Sequence, residues 1–157
     1  MGTPSSQTVT IVDTDAPPVA TLSVVSTSIN ETTGTTSTLV TATLSLMSAK
    51  TVTVTLANSG TATDVSDYTL SSTITIPPGS TTGSVTLVAV DESPALDEVD
   101  ETVILTMSCD TTCSVGTPSS QMVTIVDQDL PPVATLSVVS TSTVSYTHLT
   151  LPTTPYV

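Results

Sequence analysis

The chain has 157 residues and a formal charge of −13, with Lys50 its only Lys or Arg. So acidic a chain excludes the basic patches that nucleic acid and anionic membranes require, and no apolar run approaches the roughly eighteen residues of a membrane-spanning helix. Val, Thr, Leu, Ile and Ser dominate while Phe and Trp are absent, a composition that suits pleated strands around an aliphatic core of one domain.

The chain opens on a segment that it later repeats. Residues 2–28 recur at residues 116–142, an offset of 114 (116 − 2), and only Thr8/Met122, Thr14/Gln128 and Ala16/Leu130 differ among the 27 aligned positions. A period this long is a whole domain rather than a solenoid unit. The expected organisation is therefore the last strand of a preceding repeat at 1–15, one complete module at 16–130 and the truncated first strand of the next repeat at 131–143. Residues 144–157 break the pattern. Their first ten resemble an in-frame translation of a transposase adapter used in preparing sequencing libraries, so this tail, with His148, is expected to be foreign to the module.

Within the module, period-2 alternation marks the strands in turn. Leu22 and Val24 alternate with Thr21 and Ser23. Val40, Ala42, Leu44 and Leu46 alternate with Thr41, Thr43 and Ser45, and Val52, Val54 and Leu56 with Thr51, Thr53 and Thr55. Ile74 and Ile76 run into the turn signal Pro77-Pro78-Gly79-Ser80. Val85, Leu87 and Ala89 precede an acidic loop, Val103, Leu105 and Met107 follow it, and Val123 and Ile125 form the last strand. About seven short strands in a module of this size predict an all-β fold: an immunoglobulin-like antiparallel β-sandwich.

The loop at 91–101 holds six of the fourteen carboxylates, Asp91, Glu92, Asp97, Glu98, Asp100 and Glu101, with no cation among them. Crowded acids repel one another unless something neutralises them, and a hard divalent cation that prefers oxygen ligands, calcium first, does so. Glu31 follows the first strand, Asp67 precedes Tyr68 at the start of a short strand, and Asp127 and Asp129 follow the last strand. Alternate connections of a sandwich gather at one end, so these acids are expected to share a pole.

The ordered set Glu31 and Gly34, Gly60-Thr61-Ala62 with Asp67-Tyr68, Pro78-Gly79, Asp91 with the 97–101 cluster, and the closing Val123-Thr124-Ile125-Val126-Asp127-Gln128-Asp129 resembles the Calx-β domain. That family is a calcium-binding module of sodium–calcium exchangers and of bacterial surface proteins. The resemblance implies Glu31, Asp67, Asp91, Glu98, Glu101, Asp127 and Asp129 as calcium ligands, with the Leu96 carbonyl as a further candidate. Two departures bear on ion number and affinity: Glu92 stands where an Asp is common, and Gln128 interrupts the terminal acids. The plainer alternative is a set of solvated loop acids on a sandwich without a metal.

Other chemistry is sparse. The module has no His, which argues against zinc. Cys109 and Cys113 are four positions apart, open either to a local disulfide in an oxidising compartment or to a reduced pair. No Ser-His pair, Cys-His pair or phosphate loop is present, and no aromatic-lined sugar site accompanies the carboxylates, so no enzyme is expected. The function expected is a calcium-binding module within a tandem array of a large extracellular or cell-surface protein, stiffening a stalk or adhesive arm. Its partners would be neighbouring repeats, with a protein or glycan adhesion partner beyond them and no direct membrane insertion. A metal-free spacer, or a direct protein- or glycan-binding module of the same fold, is the alternative.

Overall fold

The computed structural model describes residues 6–12, 14–91, 97–139 and 142. Among these residues ten strands appear in chain order: β1 (Val19–Val24), β2 (Ser28–Asn30), β3 (Ser37–Leu44), β4 (Val52–Gly60), β5 (Tyr68–Thr69), β6 (Thr73–Ile76), β7 (Thr82–Ala89), β8 (Glu101–Cys109), β9 (Ser114–Val115) and β10 (Ser120–Val126). They form two five-stranded sheets, ordered β5-β7-β3-β1-β9 and β2-β10-β8-β4-β6. The alternation read from the sequence is the alternation of burial. Ala20 and Leu22 of β1, Val40 and Ala42 of β3, Val52 and Val54 of β4, Val103 and Leu105 of β8, and Val123 and Ile125 of β10 all point into one core between the sheets. Thr38 is buried among them, and its Oγ1 accepts the Ser26 amide at 2.8 Å.

The sandwich is as expected, the short strand at Tyr68 included, with two additions, β2 and β9. β2, β5 and β9 have only two or three residues, too few to display a period, and each lies at a sheet edge. Edges this short offer little template for pairing with another chain. Two of the three pair in parallel, β9 with β1 and β2 with β10, where an antiparallel sandwich was expected. The Pro-Pro-Gly turn carries the chain from β6 in one sheet to β7 in the other. Gly79 takes a φ of +78° there, and its amide donates to the Ser48 carbonyl at 2.9 Å.

The registers define two poles. β2, β4, β7 and β10 all end, and β3 and β8 begin, at the same one. β1 begins at the other, where the Ser45 amide donates to the Val19 carbonyl at 2.8 Å. The chain therefore enters the sandwich at one pole and leaves it at the opposite one. Residues 6–12 and 131–139, near-copies of β10 and β1, belong to no strand. Ile11 and Leu136 are 92% and 95% exposed, whereas their counterparts Ile125 and Leu22 are fully buried. Among the described residues no helix is long and apolar enough to cross a membrane. The tail at 144–157 lies outside the described residues.

Candidate functional site

The site is built where β2, β7 and β10 run out and β8 begins. β2 ends on Asn30, paired with Val126 of β10, and the next amide, of Glu31, donates to the Val126 carbonyl at 3.4 Å. This hydrogen bond brings the exits of β2 and β10 side by side, with Glu31 half-buried. The following turn is fastened to the exit of β10 by Gln128, whose Oε1 accepts from the Thr33 amide at 2.9 Å and from the Thr32 and Thr33 hydroxyls at 2.9 and 3.2 Å. The Asn30 side chain closes the turn from within, donating to the Thr33 carbonyl at 2.8 Å.

On the other flank of β10 lies the approach to β8. Ile125 pairs with Glu101, the first residue of β8. Beyond that pair the ladder continues through side chains. The Asp127 amide donates to Asp100 Oδ1 at 3.3 Å, and the Glu98 amide donates to Asp127 Oδ2 at 2.6 Å. Asp127 Oδ1 accepts the Asp129 amide at 2.8 Å. The Asp127 carboxylate thus holds two backbone N–H groups, one from its own exit and one from the acidic loop. N–H dipoles aimed at a carboxylate supply part of the neutralisation that missing cations do not.

Asp67 reaches the pole from the turn before β5. Its amide donates to the Thr63 carbonyl at 3.0 Å, its carbonyl accepts the Val90 amide at 2.9 Å, and its carboxylate accepts the Thr63 amide. Asp67 is buried, and the Val90 bond ties it to the chain just past the end of β7, one residue before exposed Asp91. Tyr68 packs behind it. Burial pushes its phenol above the ordinary range, the charges of Asp64 and Asp67 add to this, and a hydrogen bond with the Asn58 side chain opposes it.

All seven expected ligands therefore lie at this pole: Glu31, Asp67, Asp91, Glu98, Glu101, Asp127 and Asp129. Their backbones are brought together; their carboxylates are not drawn into one cluster. Among the described residues no group of three or more His, Cys, Asp or Glu side chains has the spacing to hold a metal ion. Like charges keep apart, and the Asp67 and Asp127 carboxylates are turned toward backbone amides. The donor set is all oxygen, which fits a hard cation in chemistry; ligation requires the exposed acids, Asp91 and Glu98 first, to swing inward. Glu92 and the Leu96 carbonyl lie outside the described residues.

Two residues of the site were not anticipated. Asp100, absent from the expected ligand set, caps the Asp127 amide. Gln128, read as an interruption of the acids, is the clasp that holds the β2 exit against the β10 exit. Extending the β8–β10 register by one pair past Ile125 and Glu101 sets Val126 opposite Asp100, which is the signal that finds the first. Nothing in the spacing announces the second.

No protein-family model matches the chain, and no curated protein matches it. Solved structures do. The apo form of the Calx CBD1 domain superposes with a TM-score of 0.54 at 16% identity, over 70% of this chain and 98% of that one. CBD12 from CALX1.2 gives 0.54 at 17% identity, over 69% of this chain and 46% of that one. The calcium binding domain CBD12 of CALX1.1 gives 0.53 at 18%, over 64% and 40%. The chain thus spans less than half of these two longer proteins. At such identities the likeness establishes a Calx-β-like fold.

Proposed function

We propose that this chain is a calcium-binding β-sandwich module that loads the ion at the pole where β2, β7 and β10 end. The observation that carries the reading is the pair of hydrogen bonds joining Asp127 to the acidic loop, through the Glu98 amide at 2.6 Å and Asp100 at 3.3 Å. Together with the Glu31 amide on Val126, they put acids from three separate connections around the exit of one strand. Glu31, Asp91, Glu98, Glu101, Asp127 and Asp129 would supply the oxygens, with Asp67 beneath them. Calcium takes about 6–8 oxygens in flexible geometry and tolerates such a mixed, multi-loop set better than magnesium does. The Calx-β-like fold supports the same choice.

The ion's first effect would be on the loops, whose mutual repulsion it removes. Its second would be on the array. Asp127 and Asp129 run through Leu130 directly into Pro131-Pro132, so an ion held there sits against a linker stiffened by proline. Entry and exit at opposite poles suit modules strung end to end, and the Cys109–Cys113 disulfide suits an oxidising, extracellular or cell-surface setting. In that setting the array would serve as a stalk or adhesive arm, and no catalytic role is proposed.

Extracellular modules bind calcium with dissociation constants of about 10⁻⁴–10⁻³ M. Calorimetric titration of the chain with calcium is the test, and binding in that range is expected. Replacing Glu101→Gln together with Asp127→Asn should abolish the heat while leaving the β circular dichroism intact. Wild-type affinity in the double variant would overturn the ligand assignment.

A second reading has its own observation. The Asp67 and Asp127 carboxylates are already satisfied by backbone amides, as they would be in a metal-free spacer of the same fold. Melting in calcium and in chelator at equal ionic strength separates the two. Ion at ten times its dissociation constant stabilises the fold by about 1.4 kcal/mol per independent site, whereas a spacer melts at the same temperature in both.

A further inference from the structure

We infer that the Cys109–Cys113 bridge is a thiol-reducible clamp that fixes how the chain enters the sandwich, at the pole opposite the acids. The inference does not depend on the metal reading. Cys109 ends β8 and stands in register with Val54 of β4, whereas Cys113, buried in the core, leads into β9 of the other sheet. The bridge therefore staples one sheet to the other across a five-residue ring.

What the ring holds is the incoming chain. β9 has two residues, paired in parallel with Val19 and Ala20 at the start of β1. The Ser114 amide donates to the Pro18 carbonyl at 2.9 Å, and the Gly116 amide donates to the Ala20 carbonyl at 2.7 Å. At Gly116 a Cβ would lie 2.9 Å from the Ala20 carbonyl oxygen and 2.5 Å from Val19 Cγ1, so the two strands meet with no room for a side chain. The ring also faces the incoming chain across an open pocket. Thr111 and Thr112 line a cavity of about 490 Å³ whose other walls include Pro17, Pro18 and Lys50. The Thr112 amide is in turn held by Asp110 Oδ1 at 2.8 Å. A two-residue edge strand has little stability of its own, so its register against β1 depends on the covalent ring that delivers it.

The exchange is balanced by a small-molecule thiol. Its thiolate attacks the Cys109 sulfur, the more exposed of the two, forming a mixed disulfide and releasing Cys113 as a thiolate that takes up a proton. A second thiol resolves the mixed disulfide, leaving two protein thiols and one oxidised small-molecule disulfide. With the ring open, β9 loses its tether and residues 14–18 are freed from the body of the sandwich. The strands β3, β4, β8 and β10 keep their ladders.

Amide hydrogen exchange by NMR on the full chain, oxidised and then reduced with excess dithiothreitol, tests this. Reduction is expected to lower protection of the Ser114 and Gly116 amides by at least about tenfold, with Leu105 and Val123 unchanged. Limited proteolysis should gain cuts within residues 14–18. The Cys109→Ser, Cys113→Ser double variant should match the reduced protein. Unchanged protection at Ser114 and Gly116 after alkylation has verified two free thiols would overturn the clamp. So would an equal loss at every amide, which marks a global staple, or a bridge that resists dithiothreitol until the protein unfolds. If the double variant does not fold, the reduced wild-type chain decides alone.

Discussion

Gly60 closes β4 with a φ of +124°, and a Cβ built there would stand 2.1 Å from the Thr102 carbonyl oxygen. That oxygen is already receiving the Thr61 and Ala62 amides at 3.0 and 3.1 Å, so it has nowhere to retreat. Gly60→Ala is expected to cost about 2–4 kcal/mol, combining the penalty of positive φ with a backbone clash; a shift below about 1 kcal/mol in denaturant unfolding would contradict the geometry. Tyr68 yields a pH prediction. Its phenol titrates above the ordinary value of 10.0 in the folded state, chiefly through burial. The stabilisation from keeping that proton is fully present below the unfolded value, and it is lost as pH rises from there through the folded one. Tyr68→Phe cannot ionise, so between pH 7 and 11 its melting temperature should fall less steeply than that of the wild type. Equal slopes would show that Tyr68 does not titrate with unfolding. At neutral pH the variant should lose about 1 kcal/mol, the worth of one hydrogen bond to Asn58.

Elements as well as residues owe their state to their surroundings, and the repeated segment isolates that dependence. Residues 6–12 and β10 differ only at Thr8/Met122, yet one is exposed coil and the other a central strand with β8 and β2 on either side. Residues 133–139 repeat residues 19–25 without a change and likewise lack neighbours. Period-2 alternation was thus enough to locate the seven long strands, because their partners lie within the module. It was silent on β2, β5 and β9, whose existence rests on two or three ladder bonds. The same distinction governs the site. Which loops share a pole followed from strand order, so the positions of Glu31, Asp91 and Asp127 were legible. Where each carboxylate points did not follow, because Asp67 and Asp127 answer to amides of Thr63, Glu98 and Asp129, which only folded backbone brings near. A segment without neighbours contributes no cooperative stability. Ending the chain after Leu130 should therefore leave the melting temperature within about 2 °C of the full chain. A larger drop would mean that 131–139 is docked.

At the scale of the whole molecule, fourteen carboxylates face a single lysine, and among the described residues folding concentrates nine of them at one pole: Glu31, Asp67, Asp91, Asp97, Glu98, Asp100, Glu101, Asp127 and Asp129. Two kinds of cation relieve the resulting repulsion in different ways. A monovalent salt screens it, and the benefit accrues gradually as the Debye length falls from about 30 Å at 0.01 M to about 10 Å at 0.1 M. A coordinated divalent ion cancels it locally and saturates with its own binding curve. Sodium chloride alone is therefore expected to raise the melting temperature by a few degrees, most of it below about 0.1 M. At constant ionic strength, millimolar calcium should add a further saturable rise of about 2–6 °C, the effect of roughly 1.4 kcal/mol on a domain of this size. Magnesium, which demands near-ideal octahedral geometry and sheds water reluctantly, should add much less. The Glu101→Gln, Asp127→Asn variant should keep the sodium response and lose the calcium increment. If calcium and magnesium act alike and the double variant responds as the wild type does, then the acids of the pole are a diffuse charge and not a site.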